Sequence, residues 1–68
     1  MKVSARNVLE GTIKEVHKGA TTAHVLIEIK GAIVTASITN EAVDELKLEK
    51  GKKAHALIKA SDVIVAVD

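Results

Sequence analysis

Between Thr22 and Lys30 the chain changes character at every residue. Ala23, Val25, Ile27 and Ile29 fall on one parity, and Thr22, His24, Leu26, Glu28 and Lys30 on the other. Side chains alternate sides in this way only in an extended strand, so the stretch is committed to a sheet with one apolar face. Leu26, on the mostly polar parity, indicates that this second face is partly covered too. After a tight turn at Lys30-Gly31 the pattern resumes. Ala32, Val34, Ala36 and Ile38 share one face; Ile33, Thr35, Ser37 and Thr39 share the other, with hydroxyls suited to water or ligand.

The flanking segments extend the same reading. Val8 to Val16 is expected to be a strand, with Gly11 as a bulge or a point of close approach, and His17-Lys18-Gly19-Ala20 as the turn after it. Asn40 is expected to cap a short helix, with Glu41, Asp44 and Glu45 near its start and Val43 and Leu46 as its buried pair. Gly51 closes the segment Lys47 to Lys50, and Lys52-Lys53 leads into a strand bearing Ala54, Ala56 and Ile58 on one face. Ser61-Asp62 breaks that run. Val63 to Val67 is continuously apolar, as expected of a last strand covered on both faces. The order is three strands, a helix and two strands. It predicts an all-β fold with one short helix, a small five-stranded OB-fold-like barrel whose helix lies between strands three and four. Residues 1–68 read as one domain, without repeat, linker or low-complexity tract.

Sixty-eight residues make a thin domain, and the chain has no Phe, Tyr, Trp, Pro or Cys. A chain this short is marginal alone and is commonly helped by disulfides, a structural metal or association. The absence of cysteine excludes disulfides and thiolate zinc sites. His17, His24 and His55 have no metal-site spacing. With a core limited to Val, Ile, Leu and Ala, completion by neighbouring subunits is the expectation. The formal net charge of +1 gives no broad basic footprint for nucleic acid. No apolar run approaches a membrane span, and Met1-Lys2-Val3-Ser4 leads into no signal-peptide core, so a soluble, cytoplasmic protein is expected.

Three donor-rich segments interrupt this plain β pattern. Ser4-Ala5-Arg6-Asn7 precedes the first strand and offers a hydroxyl and a fixed guanidinium fork. Lys59-Ala60-Ser61-Asp62 offers a second cation and a second hydroxyl at a strand end, and Thr39-Asn40-Glu41 opens the helix. A tetrahedral dianion presents only acceptor oxygens, so its site needs convergent N–H groups, hydroxyls and one or two cations, with few competing carboxylates. Each residue also has a plainer reading. Arg6 alone is more often a surface ion-pair partner, and a lysine such as Lys59 before a strand break is usually just solvated. Ser61-Asp62 is most simply a turn or cap pair, and Thr39-Asn40 a helix cap. The four glycines punctuate turns and form no phosphate loop.

Taken together, the chain resembles the molbindins, the Mop family of small molybdate-binding modules (the TOBE/Mop domain). That module also occurs in molybdate-responsive regulators and transporter ATPase subunits. The resemblance rests on Ser4-Ala5-Arg6-Asn7, on Gly11 with its strand, and on Lys18-Gly19-Ala20 followed by Ala23 and Val25. It continues through Thr35-Ala36-Ser37-Ile38-Thr39-Asn40-Glu41 and Lys59-Ala60-Ser61-Asp62-Val63, in the family's order over nearly the whole chain. It implies an OB-like fold and a hexamer arranged as a trimer of dimers. It also implies cytoplasmic storage of molybdate or tungstate without catalysis, organic cofactor or cation site. The main anion sites would lie between subunits, with Ser4, Ala5 and Arg6 from one and Thr39, Lys59 and Ala60 from its partner; Ser61 is a further candidate. Ala42 stands where relatives often carry Ser, which implies one donor fewer. A second class of site, on a threefold axis, would fall near Lys18, Gly19, Ala20, Thr21 and Thr22.

Three other functions compete. An OB-fold nucleic-acid-binding module stacks bases on aromatic side chains within a positive groove, and this chain offers neither. An enzyme would need a nucleophile, paired carboxylates or a metal cluster, none of which stands out. A purely structural oligomerisation module would assemble in the same way yet ignore oxyanions.

Overall fold

The computed structural model describes all residues 1–68. Four strands form one antiparallel sheet: β1 (Asn7–Lys18), β2 (Thr22–Ile29), β3 (Ala32–Thr39) and β4 (Lys53–Ile58), in spatial order β3-β2-β1-β4. A single helix, α1 (Asn40–Glu45), follows β3. The β2–β3 hairpin turns through Lys30 and Gly31, both at positive φ (47° and 86°). Two such residues make the turn whose twist matches its strands. Its register, from Thr22↔Thr39 to Ile29↔Ala32, keeps the two apolar parities on one face.

The long strand β1 bends the sheet into a half-barrel. Its first half pairs with β4, from Asn7↔Ile58 to Thr12↔Lys53, and its second half with β2, from Thr12↔Glu28 to Lys18↔Ala23. Lys14 is an extra residue between Ile13 and Glu15, where the register shifts. The bulge is therefore at Lys14, and Gly11 is the close-approach point. A Cβ on Gly11 would lie 2.5 Å from the Glu28 carbonyl oxygen and 2.6 Å from Ile29 Cγ1. Only a glycine lets β1 cross this close to β2.

The concave face holds the core: Ile13, Ala23, Val25, Ile27, Val43 and Ala56 are buried, with Val16, Ile29, Val34, Ala36, Ile38, Leu48 and Ala54 packed around them. The helix is one and a half turns long, too short to persist by itself, and is held by Val43 in this core. Its N-cap is Thr39 rather than Asn40. The Thr39 hydroxyl accepts a hydrogen bond from the Ala42 N–H at 3.0 Å.

Leu46 is not the second buried helix residue expected from the sequence; it is 59% exposed. The helix ends there, Lys47 takes a left-handed φ of 53°, and the Leu48 N–H returns to the Val43 carbonyl at 3.0 Å. That reversal, a common way for helices to end, turns Leu48 toward the core in place of Leu46. The Lys52 ammonium donates to the Leu46 and Lys47 carbonyls, at 2.7 and 3.2 Å.

The fifth strand is absent. After β4 a 3-10 turn covers Ala60–Asp62, and Val63 to Val67 form no strand. Ile64, Val65 and Val67 are 93, 84 and 91% exposed. An extended apolar segment becomes a strand only when a neighbouring ladder accepts its backbone groups, and here none does. The fold is four strands and a helix, an open half-barrel in place of the closed five-stranded barrel.

Candidate functional site

Pairing of β1 with β4 decides the neighbourhood of the N-terminal segment. Asn7 lies opposite Ile58, and its side-chain amide donates to the Ile58 carbonyl at 3.0 Å. Ser4, Ala5 and Arg6 thus enter the sheet beside the point where Lys59, Ala60 and Ser61 leave it. The exit is a 3-10 turn in which the Asp62 N–H donates to the Lys59 carbonyl at 2.9 Å. Arg6, Lys59 and Ser61 are all exposed.

The ion pairs of the chain lie elsewhere: His17–Glu15 at 2.8 Å, Lys18–Asp44 at 2.6 Å and His55–Glu10 at 3.4 Å. Arg6 and Lys59 therefore carry positive charge to one sheet end without a carboxylate partner.

Thr39 stands apart from this group. It pairs with Thr22, at the end of the sheet where β1 finishes at Lys18. The two groups are separated by the 12 residues of β1, a contour of about 40 Å at ~3.3 Å per residue before bending. Within one chain, Arg6, Lys59 and Ala60 come together and Thr39 does not join them. Ala42, next to Thr39 in the first helical turn, has its N–H already satisfied by the Thr39 hydroxyl.

At that second end lies the turn Lys18–Thr22. Gly19 donates its N–H to the Thr22 carbonyl at 2.7 Å. Asn40 clamps the turn to the helix: its backbone N–H donates to the Thr21 carbonyl at 2.9 Å and its side-chain amide to the Gly19 carbonyl at 2.9 Å. Asn40 Oδ1 is buried without a partner. A cavity of about 280 Å³ opens here, lined by His17, Lys18, Gly19, Thr22 and His24. Beside it, Glu15 is held below the usual carboxylate range, first by its hydrogen bond to His17 and then by the charges of His17, Lys14 and Lys50.

The sequence placed His17 in the turn itself but did not bring His24 or Asn40 to it. The imidazoles face each other only through the β1–β2 register, and Asn40 reaches the turn only through the fold. A second concavity, lined by Lys47, Glu49, Lys50, Gly51 and Lys52, takes in no residue of either group.

Comparison with known proteins points one way. The TOBE domain model matches residues 3–65. The chain is 44% identical, over the whole of both chains, to the probable molybdenum-pterin-binding protein of Haemophilus influenzae. It is 39% identical to molybdenum-pterin-binding protein 3 of Clostridium pasteurianum, over 96% of this chain and 97% of that one. Among solved structures, a molybdate binding protein from Sporomusa ovata superposes with a TM-score of 0.94 at 42% identity, covering 98% of this chain and all of the other. The cytoplasmic molybdate-binding protein ModG, with molybdate bound, matches 94% of this chain at 46% identity and a TM-score of 0.89; the match covers 46% of ModG. The chain belongs to the TOBE domain family and, within it, to the short Mop proteins.

Proposed function

We propose that this chain binds molybdate and tungstate as intact oxyanions and stores them in the cytoplasm, at sites completed between its copies. The observation that carries the reading is that Arg6 and Lys59 flank the Asn7–Ile58 pair at one sheet end, neither of them in an ion pair, in a chain similar throughout to molybdate-binding proteins. Ser4, Ala5, Arg6, Lys59, Ala60 and Ser61 supply hydroxyls, backbone groups and two cations. Thr39 reaches such a cluster from a second copy, because the sheet holds it at the far end of its own chain. The anion is held by charge-assisted hydrogen bonds, and no bond to it is made or broken. The protein acts as a binding module over residues 1–68, not as an enzyme, and needs no organic cofactor or nucleic acid.

Surface area supports association. The chain exposes 5408 Å², whereas an ordinary monomer of 7.2 kDa exposes about 4,100 Å². The surplus of about 1,300 Å² per chain is more than one partner contributes to a standard interface. Val8 and Leu57, opposed on β1 and β4, and the tail Val63–Val67 account for much of the exposed apolar surface. A hexamer built as a trimer of dimers would bury them.

Calorimetric titration with sodium molybdate, alongside light scattering, tests the proposal. Saturable heat from an oligomer supports it. An oligomer that gives no heat is the structural module instead, and a single-chain mass at micromolar concentration removes the shared site.

A further inference from the structure

The segment Lys47 to Lys53, which joins α1 to β4, carries four lysines and one glutamate, a net charge of +3. The whole chain carries +1, so everything outside this segment sums to −2. Lys47, Glu49, Lys50, Gly51 and Lys52 are exposed and line an open concavity of about 650 Å³. None of these lysines is in an ion pair, since the pairs of the chain engage Lys18, His17 and His55. Lys14, the bulge residue of β1, adds a further positive charge: it and Lys50 both act on the Glu15 carboxylate.

Lysines on a loose loop make a solvated surface, but the backbone here is fixed. The Leu48 N–H donates to the Val43 carbonyl at 3.0 Å and the Lys52 N–H to the Glu49 carbonyl at 3.1 Å. The loop is tied to β1 by Gly51 N–H to the Ile13 carbonyl at 2.8 Å and Ile13 N–H to the Lys52 carbonyl at 2.9 Å. The Lys52 ammonium is itself held on the Leu46 and Lys47 carbonyls. A charged surface ordered before binding loses little freedom when a partner arrives. Leu46, next in sequence to Lys47, is exposed and adds an apolar contact at the margin of the charge.

The chemistry narrows the partner. The concavity has no apolar lining, unlike a pocket for a small organic molecule. Single-stranded nucleic acid is held by stacking on aromatic rings and arginine planes; the chain has no aromatic residue, and its one arginine, Arg6, lies at the sheet end beyond Asn7. A second copy meeting this surface about a twofold axis would set +3 against +3, because such an interface opposes a patch to itself. Carboxylates on another protein complement the ammonium charges, with an apolar side chain among them for Leu46.

We propose that the α1–β4 loop is a docking surface for an acidic, leucine-bearing segment of a partner protein. It is separate from both ends of the sheet, and it does not depend on the oxyanion reading.

The test is fluorescence anisotropy on the full chain, with a short labelled peptide of glutamates around one leucine as the probe. Saturable binding that weakens as salt screens the charges is expected. An exposed ion pair contributes up to about fivefold in affinity, and reversing two lysines also adds repulsion, so Lys47→Glu/Lys50→Glu should bind about tenfold or more weakly. Leu46→Ser should cost about fivefold, for loss of a leucine that is partly buried on docking. Lys50→Glu alone, away from the left-handed backbone at Lys47, keeps the test if the double variant is unstable. Amide resonances should move at residues 46–53 and Lys14, and the molybdate isotherm of each variant should match wild type.

Unchanged peptide affinity in the lysine variants overturns the proposal, as does an oligothymidylate of equal charge that binds as tightly. Displacement of the peptide by an equal concentration of pyrophosphate reduces the surface to a small-anion site and also overturns it. If the lysine variants lose the oligomer in light scattering, the occupant is a second copy and the partner-protein proposal fails. Absence of molybdate binding in wild type and variants alike removes the oxyanion reading and leaves this one standing.

Discussion

Replacing Gly11 with alanine tests how closely the half-barrel is wound. The added Cβ would sit 2.5 Å from the Glu28 carbonyl oxygen, 2.6 Å from Ile29 Cγ1 and 2.9 Å from Ile27 Cγ2, where ordinary contacts begin at 3.4 Å. The isoleucine side chains can rotate, but the carbonyl is fixed in the backbone of β2. Relief requires β1 and β2 to part by most of an ångström at the position where β1 passes from β4 to β2. Overpacking costs about 1–3 kcal/mol, and a backbone collision places this change near the upper end, about 3 kcal/mol. A domain of this length has a stability of roughly 3–10 kcal/mol, so a third or more would be lost. The midpoint of thermal unfolding should fall by about 12–24 °C, at ~4–8 °C per kcal/mol for small domains. Urea unfolding at fixed protomer concentration measures the loss, since association contributes to apparent stability. Gly51→Ala is the control: it meets nothing within 4 Å, and its cost comes only from a φ of +92°. If Gly11→Ala unfolds within about 0.5 kcal/mol of wild type, the normal spread for an uncrowded site, the tight crossing is wrong.

Further outcomes follow from the same geometry. Arg6→Ala or Lys59→Ala should weaken molybdate binding about tenfold or more while the oligomer persists, and Arg6→Lys should fail to restore it because an ammonium lacks the planar fork; unchanged isotherms would remove both residues from the site. Tungstate should equal molybdate in competition calorimetry, with sulfate far weaker, since its shorter bonds leave donors unreached at about 1 kcal/mol each; effective competition by sulfate would reduce the site to a generic cationic patch. Deleting Val63–Asp68 removes an exposed apolar tail and should lower the mass seen by light scattering, an expectation refuted by an unchanged oligomer. Glu15 is held low by His17, so the pair's stabilisation is present above the ordinary carboxylate range and is lost as pH falls through the Glu15 titration. In His17→Gln, an NMR titration should find the Glu15 carboxyl moved back up; no movement would separate the two residues.

Much of this molecule is set by local chemistry and is therefore legible in its sequence. The period of two from Thr22 to Thr39 needs no partner to be recognised, and β2, β3 and their Lys30-Gly31 turn appear in the fold with the expected core face. The donor segments Ser4-Ala5-Arg6 and Lys59-Ala60-Ser61 are likewise visible as residue types, and residue types already favour an anion over a base stack or a nucleophile. What the sequence could not carry is anything decided by which strand meets which. The helix stops at Glu45, so Leu46 faces solvent and Leu48 takes the core position. Val63 to Val67 have every local property of a strand, yet a strand exists only where another ladder receives it, and one chain offers none. Register alone brings Arg6 beside Lys59, holds Thr39 at the far end and sets His17 against His24. Those long-range pairings depend on the crossing at Gly11 and the extra residue at Lys14, where a fraction of an ångström of backbone clearance determines which ends of the sheet meet.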